Sequence, residues 1–350
     1  MKFLGTLGKT AIVIFAIIGI SFTGVFVGMK FGWTNVRGTI AERNSSFFKN
    51  VPKAESMNDD STQAVILCKV HALANYAPET AKHIQTVYET TQNIQLINRM
   101  FSTAQARFAD TQLFSNMNDC SKVLVPDMTP IVQTAYAWAD SDEWQVLKSA
   151  FIRDQDTIRK AAQDAGISPR LLLGGIIGEQ FRFFTSTRDS FKSYFEPLKI
   201  LASLSKFSYG IAGLKPETVA RIEQNLKNRN SVFYLGPDME NVIQYPDSAT
   251  DHAPIQFDRI TDTKNPYYSY LYPGLFMRQV IMQWKNAGYD ISQRPDVLST
   301  LYNLGFNRSV PKADPAAGGA PITVNGVQYN FGQLGYEFYY SGELIQEFPY

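Results

Sequence analysis

Asp156-Thr157-Ile158-Arg159-Lys160-Ala161-Ala162-Gln163-Asp164-Ala165-Gly166-Ile167-Ser168-Pro169-Arg170-Leu171-Leu172-Leu173-Gly174-Gly175-Ile176-Ile177-Gly178-Glu179 is the stretch whose reading decides the fold. Its first half has the apolar spacing of an amphipathic helix, and Gly166 is placed to end it. Ser168 then opens a second helix with Pro169 in its first turn. That helix runs through eight uncharged residues, Leu171 to Gly178, before a carboxylate arrives at Glu179. Burying a lone acid as an anion is costly, so the expectation is a raised pKa at Glu179. A carboxylic acid protonated near neutral pH is what glycosidic bond cleavage uses as its proton donor. The plain alternative is an acid in an ion pair with Arg182, three residues along the same helix.

Outward from this stretch, the pattern is mainly α. Residues 61–140 read as a helical region. Ala64, Leu67, Cys68 and His71 recur at helical spacing, and a long run from Pro78 and Glu79 carries Ile84, Val87, Ile94, Ile97 and Met100. A helical hairpin is expected there. Ser141, followed by Asp142 and Glu143, has the form of an N-cap and first turn. Residues 141–310 form the main domain, with helices near Gly274–Ala287 and Arg294–Asn303. Residues 233–273 hold Pro237, Pro246, Pro254, Pro266 and Pro273 and read as an irregular insertion, the kind of segment that often walls or covers a site. Residues 311–350 form a C-terminal extension. It contains a β-hairpin, Ile322 to Tyr329, around an Asn325-Gly326 turn, and an aromatic stretch, Tyr336 to Gly342, expected to pack on the domain.

The first sixty residues differ from the rest. Between Lys9 and Lys30 lie twenty uncharged residues, 10–29. As a helix they would span about 30 Å, the thickness of a bilayer's hydrocarbon core. Residues 1–30 are therefore expected to be a transmembrane anchor, with a cleaved signal peptide as the rival. No small-x-small cleavage site follows the run, which favours the anchor. Lys2 and Lys9 before it and Lys30, Arg37 and Arg43 after it do not settle its orientation. Residues 31–60 read as a polar linker.

Composition narrows the classes. The chain has 350 residues, a formal charge of +1, 45% hydrophobic and 19% charged residues. That argues against a general nucleic-acid binder, which needs a basic face. The 18 tyrosines and 24 phenylalanines suit a filled core first and a carbohydrate groove second. Cys68 and Cys120 are the only cysteines. An exported chain could join them in a disulfide, and two buried thiols are the alternative. His71, His83 and His252 are scattered without metal-ligand spacing, so no metal site and no cofactor are expected.

Ile158 to Glu179 resembles the opening of the lytic transglycosylase and goose-type lysozyme domain, where a helix, a Gly-(Ile/Val)-(Ser/Asp)-Pro turn and an apolar helix deliver the catalytic glutamate. Two further segments follow in that family's order. Gly210-Ile211-Ala212-Gly213-Leu214-Lys215-Pro216-Glu217-Thr218 resembles its Gly-Leu-Met-Gln-Leu-x-Pro-x-Thr groove segment, with Ser208 just before it. Leu301-Tyr302-Asn303-Leu304-Gly305 resembles its Ala-Tyr-Asn-Ala-Gly segment, which faces the glutamate. The resemblance covers residues 150–306. It departs at Gln180, where the family has serine, at Gly213, where it has glutamine, and in the insertion between Val232 and Pro273.

The resemblance implies a lysozyme-like helical domain and a membrane-anchored enzyme that cleaves the bond between N-acetylmuramic acid and N-acetylglucosamine in peptidoglycan. It implies Glu179 as the acid and base, and Ser208, Gly210, Ile211, Tyr302 and Asn303 as substrate-binding residues. Tyr302 would hydrogen-bond near Glu179, and Asn303 would hold an N-acetyl group. A hydrolytic enzyme would want a second carboxylate, for which Asp189 and Glu196 are nearest in sequence; neither sits in a recognisable motif, which favours the non-hydrolytic route. The substrate places residues 31–350 outside the cytoplasmic membrane. The implied partners are glycan strands, the membrane and other envelope proteins. The competing class is a non-catalytic component of an envelope machine with the same fold.

Overall fold

Helix α6, Pro169–Thr185, is the axis of the computed structural model, which describes residues 63–108, 132–185 and 212–350. The other helices are α1 (Gln63–Ala74), α2 (Pro78–Thr91), α3 (Ile94–Gln105), α4 (Asp142–Arg153), α5 (Gln155–Ala165), α7 (Pro216–Lys227), α8 (Ala253–Thr261), α9 (Tyr267–Asn286), α10 (Pro295–Leu304) and α11 (Phe331–Ser341). Strands β1 (Pro321–Val324) and β2 (Val327–Asn330) form a two-stranded antiparallel sheet. Among the described residues the protein is therefore mainly helical, and none of these helices is long and apolar enough to cross a membrane. The expected anchor at 10–29 and the linker at 31–60 lie outside the described residues.

The turn into α6 forms as its sequence dictates. Gly166 takes the left-handed conformation at φ 71°, which costs a glycine nothing, and closes α5. The Ile167 amide donates back to the Ala162 carbonyl at 3.0 Å. Ser168 Oγ then accepts from the Leu171 amide at 3.1 Å and caps α6. From Arg170 to Glu179 every residue of α6 is buried. The helix is apolar all round because other elements surround it: α11, α10, α9, α5, α4 and β1 all pack on it. Its glycines are what admit them. A Cβ at Gly175 would collide with Met277 of α9, and one at Gly178 with the Phe331 ring of α11.

Three local readings are corrected. The run from Pro78 to Met100 is not one helix of a hairpin. Gln92 turns left-handed at φ 52°, and Asn93 Oδ1 accepts from the Leu96 amide at 3.0 Å, so a new helix starts. Residues 233–273 are not wholly irregular: they contain α8 and the first turns of α9. Helix α9 begins at Tyr267, seven residues before Gly274, and carries Pro273 inside it. The proline removes one backbone donor, and packing tolerates the loss because Gly274 lets α9 close on Ala165 of α5.

Other expectations hold. Ser141 Oγ accepts from the Trp144 amide at 3.2 Å at the start of α4. Asn325 and Gly326, at φ 47° and 75°, make the tight turn of the hairpin. The aromatic C-terminal stretch packs on the domain as α11, with Phe331, Leu334, Tyr336, Phe338 and Tyr340 buried.

Arg170 ties this extension down, a role its sequence position does not announce. Its guanidinium is fully buried and donates to the carbonyls of Phe338, Tyr339, Glu343 and Phe348 at 2.8–3.2 Å. It also lies over the Tyr350 ring at 4.5 Å. A buried cation is tolerable here because four backbone dipoles solvate it.

Candidate functional site

Glu179 sits two turns from the C-terminal end of α6, 9% exposed. Two elements distant in sequence build its surroundings, the first against the carboxylate and the second holding the first in place. The first is the Ala212-Gly213 backbone, just before α7. Gly213 is left-handed at φ 60°, and a Cβ built on it would come within 2.7 Å of Glu179 Oε2. The second is Tyr302 on α10, which is buried. Its hydroxyl donates to the Ala212 carbonyl at 2.7 Å. Tyr302 therefore holds the strip of backbone that lies against the carboxylate.

This arrangement accounts for the glycine at position 213. A glutamine would need a Cβ where the Glu179 carboxylate already lies, in a backbone conformation that favours glycine. Tyr302 hydrogen-bonds beside Glu179 and not to it. Its hydroxyl proton goes to the Ala212 carbonyl, so it positions Gly213 beside Glu179. Burial pushes its pKa well above the ordinary phenol value, and the nearby Glu179 charge adds to the rise while Arg182 opposes it. Tyr302 is thus a neutral donor throughout the physiological range.

Arg182 forms an ion pair with Glu179 Oε2. Its side chain is 28% exposed against 9% for the glutamate, so the arginine is the more solvent-facing partner. Its guanidinium lies over the Phe331 ring, 5.5 Å from the centroid. The ion-pair alternative for Glu179 is therefore part of the geometry, although this glutamate is buried rather than solvated.

Asn303 is engaged elsewhere. Its Oδ1 accepts from the Ala320 amide at 2.9 Å and pins the segment before β1 to the end of α10. The C-terminal extension thus reaches the site twice, through Phe331 under Arg182 and through Ala320 at Asn303. Nothing in the extension's Gly/Ala/Pro composition signals this. Ser208, Gly210 and Ile211 lie outside the described residues, as do Asp189 and Glu196. Cys68 is disulfide-bonded; Cys120, the only other cysteine in the chain, lies outside the described residues.

A second buried carboxylate shows by contrast what makes Glu179 the candidate. Glu337 on α11 is 0% exposed. It pairs with Arg107, accepts from Trp138 Nε1 at 2.9 Å and from Gln333 Nε2 at 3.3 Å. Burial raises its pKa, against the pull of Arg107. Enclosed by these donors, it ties α3's end and the residue 132–141 segment to α11 and offers no face to a ligand. Glu343 is similarly enclosed by Trp144 and Lys148. Among the described residues, no group of three His, Cys, Asp or Glu side chains could hold a metal ion.

The chain matches no protein-family model, no curated protein and no solved structure.

Proposed function

We propose that this protein is a peptidoglycan lytic transglycosylase with a lysozyme-like helical domain, and that Glu179 is its acid and base. The observation that carries the reading is the linkage of three separated segments beside one carboxylate. Glu179, Gly213 and Tyr302 come from the three stretches that resemble the family's motifs: Gly213 lies against Glu179 Oε2, and the Tyr302 hydroxyl is bonded to the neighbouring Ala212 carbonyl.

In this reading Glu179 donates its proton to the oxygen joining N-acetylmuramic acid to N-acetylglucosamine. The bond from that oxygen to the muramic C1 breaks, and positive charge develops on C1 and the ring oxygen. The muramic C6 hydroxyl bonds to C1, and its proton returns to Glu179. One carboxylate suffices, because it gives and then regains a single proton. Tyr302 keeps Gly213 against that carboxylate. The chain would be anchored through residues 10–29, with residues 31–350 beyond the cytoplasmic membrane beside its glycan substrate and other envelope proteins.

The test is digestion of purified peptidoglycan with mass analysis of the products. Muropeptides with 1,6-anhydro ends are expected; reducing-end muramic acid as the main product would point to hydrolysis instead.

One observation favours a second reading, a non-catalytic wall-binding or scaffold protein of the same fold. Arg182 already neutralises Glu179, and a general acid paired to an arginine has no proton to give. On that reading the chain binds glycan strands without cutting them.

A further inference from the structure

We propose that the His252 ring is the outer face of a carbohydrate platform, on which neutral N-acetylated sugar units of a glycan strand stack at a distance from Glu179. This rests on the proposed glycan substrate and adds a second place where the strand is held. The observation that carries it is an exposed ring fixed as firmly as a core residue. His252 is exposed, at the start of α8. Its imidazole nevertheless lies flat on the Tyr245 ring, with centroids 3.7 Å apart and planes 1° from parallel. That overlap leaves no room for another group on the same face of Tyr245. The Arg259 guanidinium, 4.5 Å from the Tyr245 centroid, therefore covers the opposite face, and it also lies over the Tyr268 ring at 4.3 Å.

The stack is anchored at its base. Tyr245 donates its hydroxyl proton to Glu223 Oε1 on α7, as does Tyr272 of α9. Gln256 Nε2 of α8 donates to the other carboxylate oxygen at 2.9 Å. Arg259 also donates to the Gln244 carbonyl. Helices α7, α8 and α9 thus all fix the ring beneath His252. Fixing a surface side chain costs rotamer entropy, and a ring that is already fixed loses none when a ligand stacks on it. The outer face of the imidazole is flat, and the C–H face of a sugar ring covers such a surface. Asp247 and Asp251 are exposed beside it in sequence; Asp251 Oδ1 accepts from the Ala253 amide, and its other oxygen and the Asp247 carboxylate can accept from sugar hydroxyls. Their charge disfavours carboxylate-bearing stem peptides and favours neutral sugar units. Along α7, Glu223 lies about 10 Å from Pro216, where the helix begins after the Gly213 strip. A glycan strand is a polymer and extends past the bond being cleaved.

The test is NMR of the histidine rings in the full-length protein. The chain has three histidines, with His71 on α1 and His83 on α2 as internal controls. The N-acetylglucosamine hexamer is the probe. It should shift the His252 signal, assigned by its loss in His252→Ala, and leave the other two in place. His252→Ala should bind the hexamer about fivefold more weakly with unchanged thermal unfolding, and His252→Phe should restore the affinity. An unmoved His252 signal, or equal affinity in His252→Ala, overturns the inference. So does a shift given by free stem peptide and not by the hexamer. Anhydro products from a protein whose His252 signal stays unmoved leave the proposed reaction standing. A His252 shift in a protein that releases no such products overturns the reaction and leaves the platform standing.

Discussion

Gly213 and Glu179 are in such close apposition that a single methyl group at residue 213 would fall 2.7 Å from Glu179 Oε2 and 3.1 Å from its Cδ. The two residues lie 34 positions apart in the chain. No side chain at 213 is compatible with the carboxylate where it stands.

Gly213→Ala is accordingly expected to act on the site first. The alanine must adopt φ 60°, a left-handed conformation costing about 1–2 kcal/mol. Its Cβ must also displace the carboxylate. A displacement on the order of 1 Å at a reacting group can lower a rate about a hundredfold. Thermal unfolding and wall digestion, measured on the same preparation, should show a modest loss of stability with a large loss of activity. Native activity in Gly213→Ala would mean that the carboxylate works from a position other than the one described.

Tyr302→Phe tests how that backbone is held. It removes the donor to the Ala212 carbonyl and keeps the ring against Phe276, 5.4 Å away. The loss in stability should be about 1–3 kcal/mol, the cost of leaving a buried acceptor without its donor. Activity should fall while the circular dichroism spectrum stays unchanged. A variant with unaltered stability and activity would show that the hydroxyl does not position Gly213.

Much of this architecture was legible in the chain before any coordinate. The Gly166–Pro169 turn, the Ser141 cap and the Asn325-Gly326 hairpin are local, and local chemistry determines them. The break at Gln92 was not legible, because a non-glycine residue in a left-handed turn leaves no mark in the apolar spacing. Only the first turns of α9, from Tyr267 to Pro273, were hidden, because Pro273 reads as a break and its lost donor is tolerated where Gly274 packs on α5. At the site, Glu179 and Tyr302 could be singled out from their motifs. The roles of Gly213, of Phe331 and of the segment pinned by Asn303 could not, since each depends on contacts between residues far apart in sequence. Arg170 was hidden for the same reason: beside a proline at a helix start, it reads as an exposed charge.

Arg170→Met is expected to loosen the C-terminal extension. Four backbone carbonyls lose their donor in a buried setting, and the cost should be about 3–5 kcal/mol. Urea unfolding gives the magnitude. Limited proteolysis should clip the variant after α11 before the rest of the domain is cut. If the tail resists protease as well as it does in the unaltered protein, Arg170 is not what holds it.

Glu337→Gln tests the enclosed carboxylate through pH. Burial raises the folded-state pKa of Glu337 above its ordinary value. The folded protein therefore binds this proton more tightly than the unfolded chain does. The associated stability is full below about pH 4.3, the ordinary glutamate value, and is lost as pH rises through the folded-state pKa. The stability difference between the unaltered protein and Glu337→Gln should accordingly be most favourable to the unaltered protein at low pH and shrink as pH rises. Urea titrations at a series of pH values measure it. A difference that grows with pH would mean that Arg107 outweighs burial.

Whether the Glu179 carboxyl group performs the proposed cleavage is decided by digestion of purified peptidoglycan with the unaltered protein and with Glu179→Gln. Glutamine preserves the size of the side chain and cannot give up and regain the proton. The unaltered protein should release 1,6-anhydro-muropeptides and Glu179→Gln none above background, with both proteins folded to the same extent. Release of these products by the variant at the native rate, or no release by the unaltered protein, would contradict the proposal.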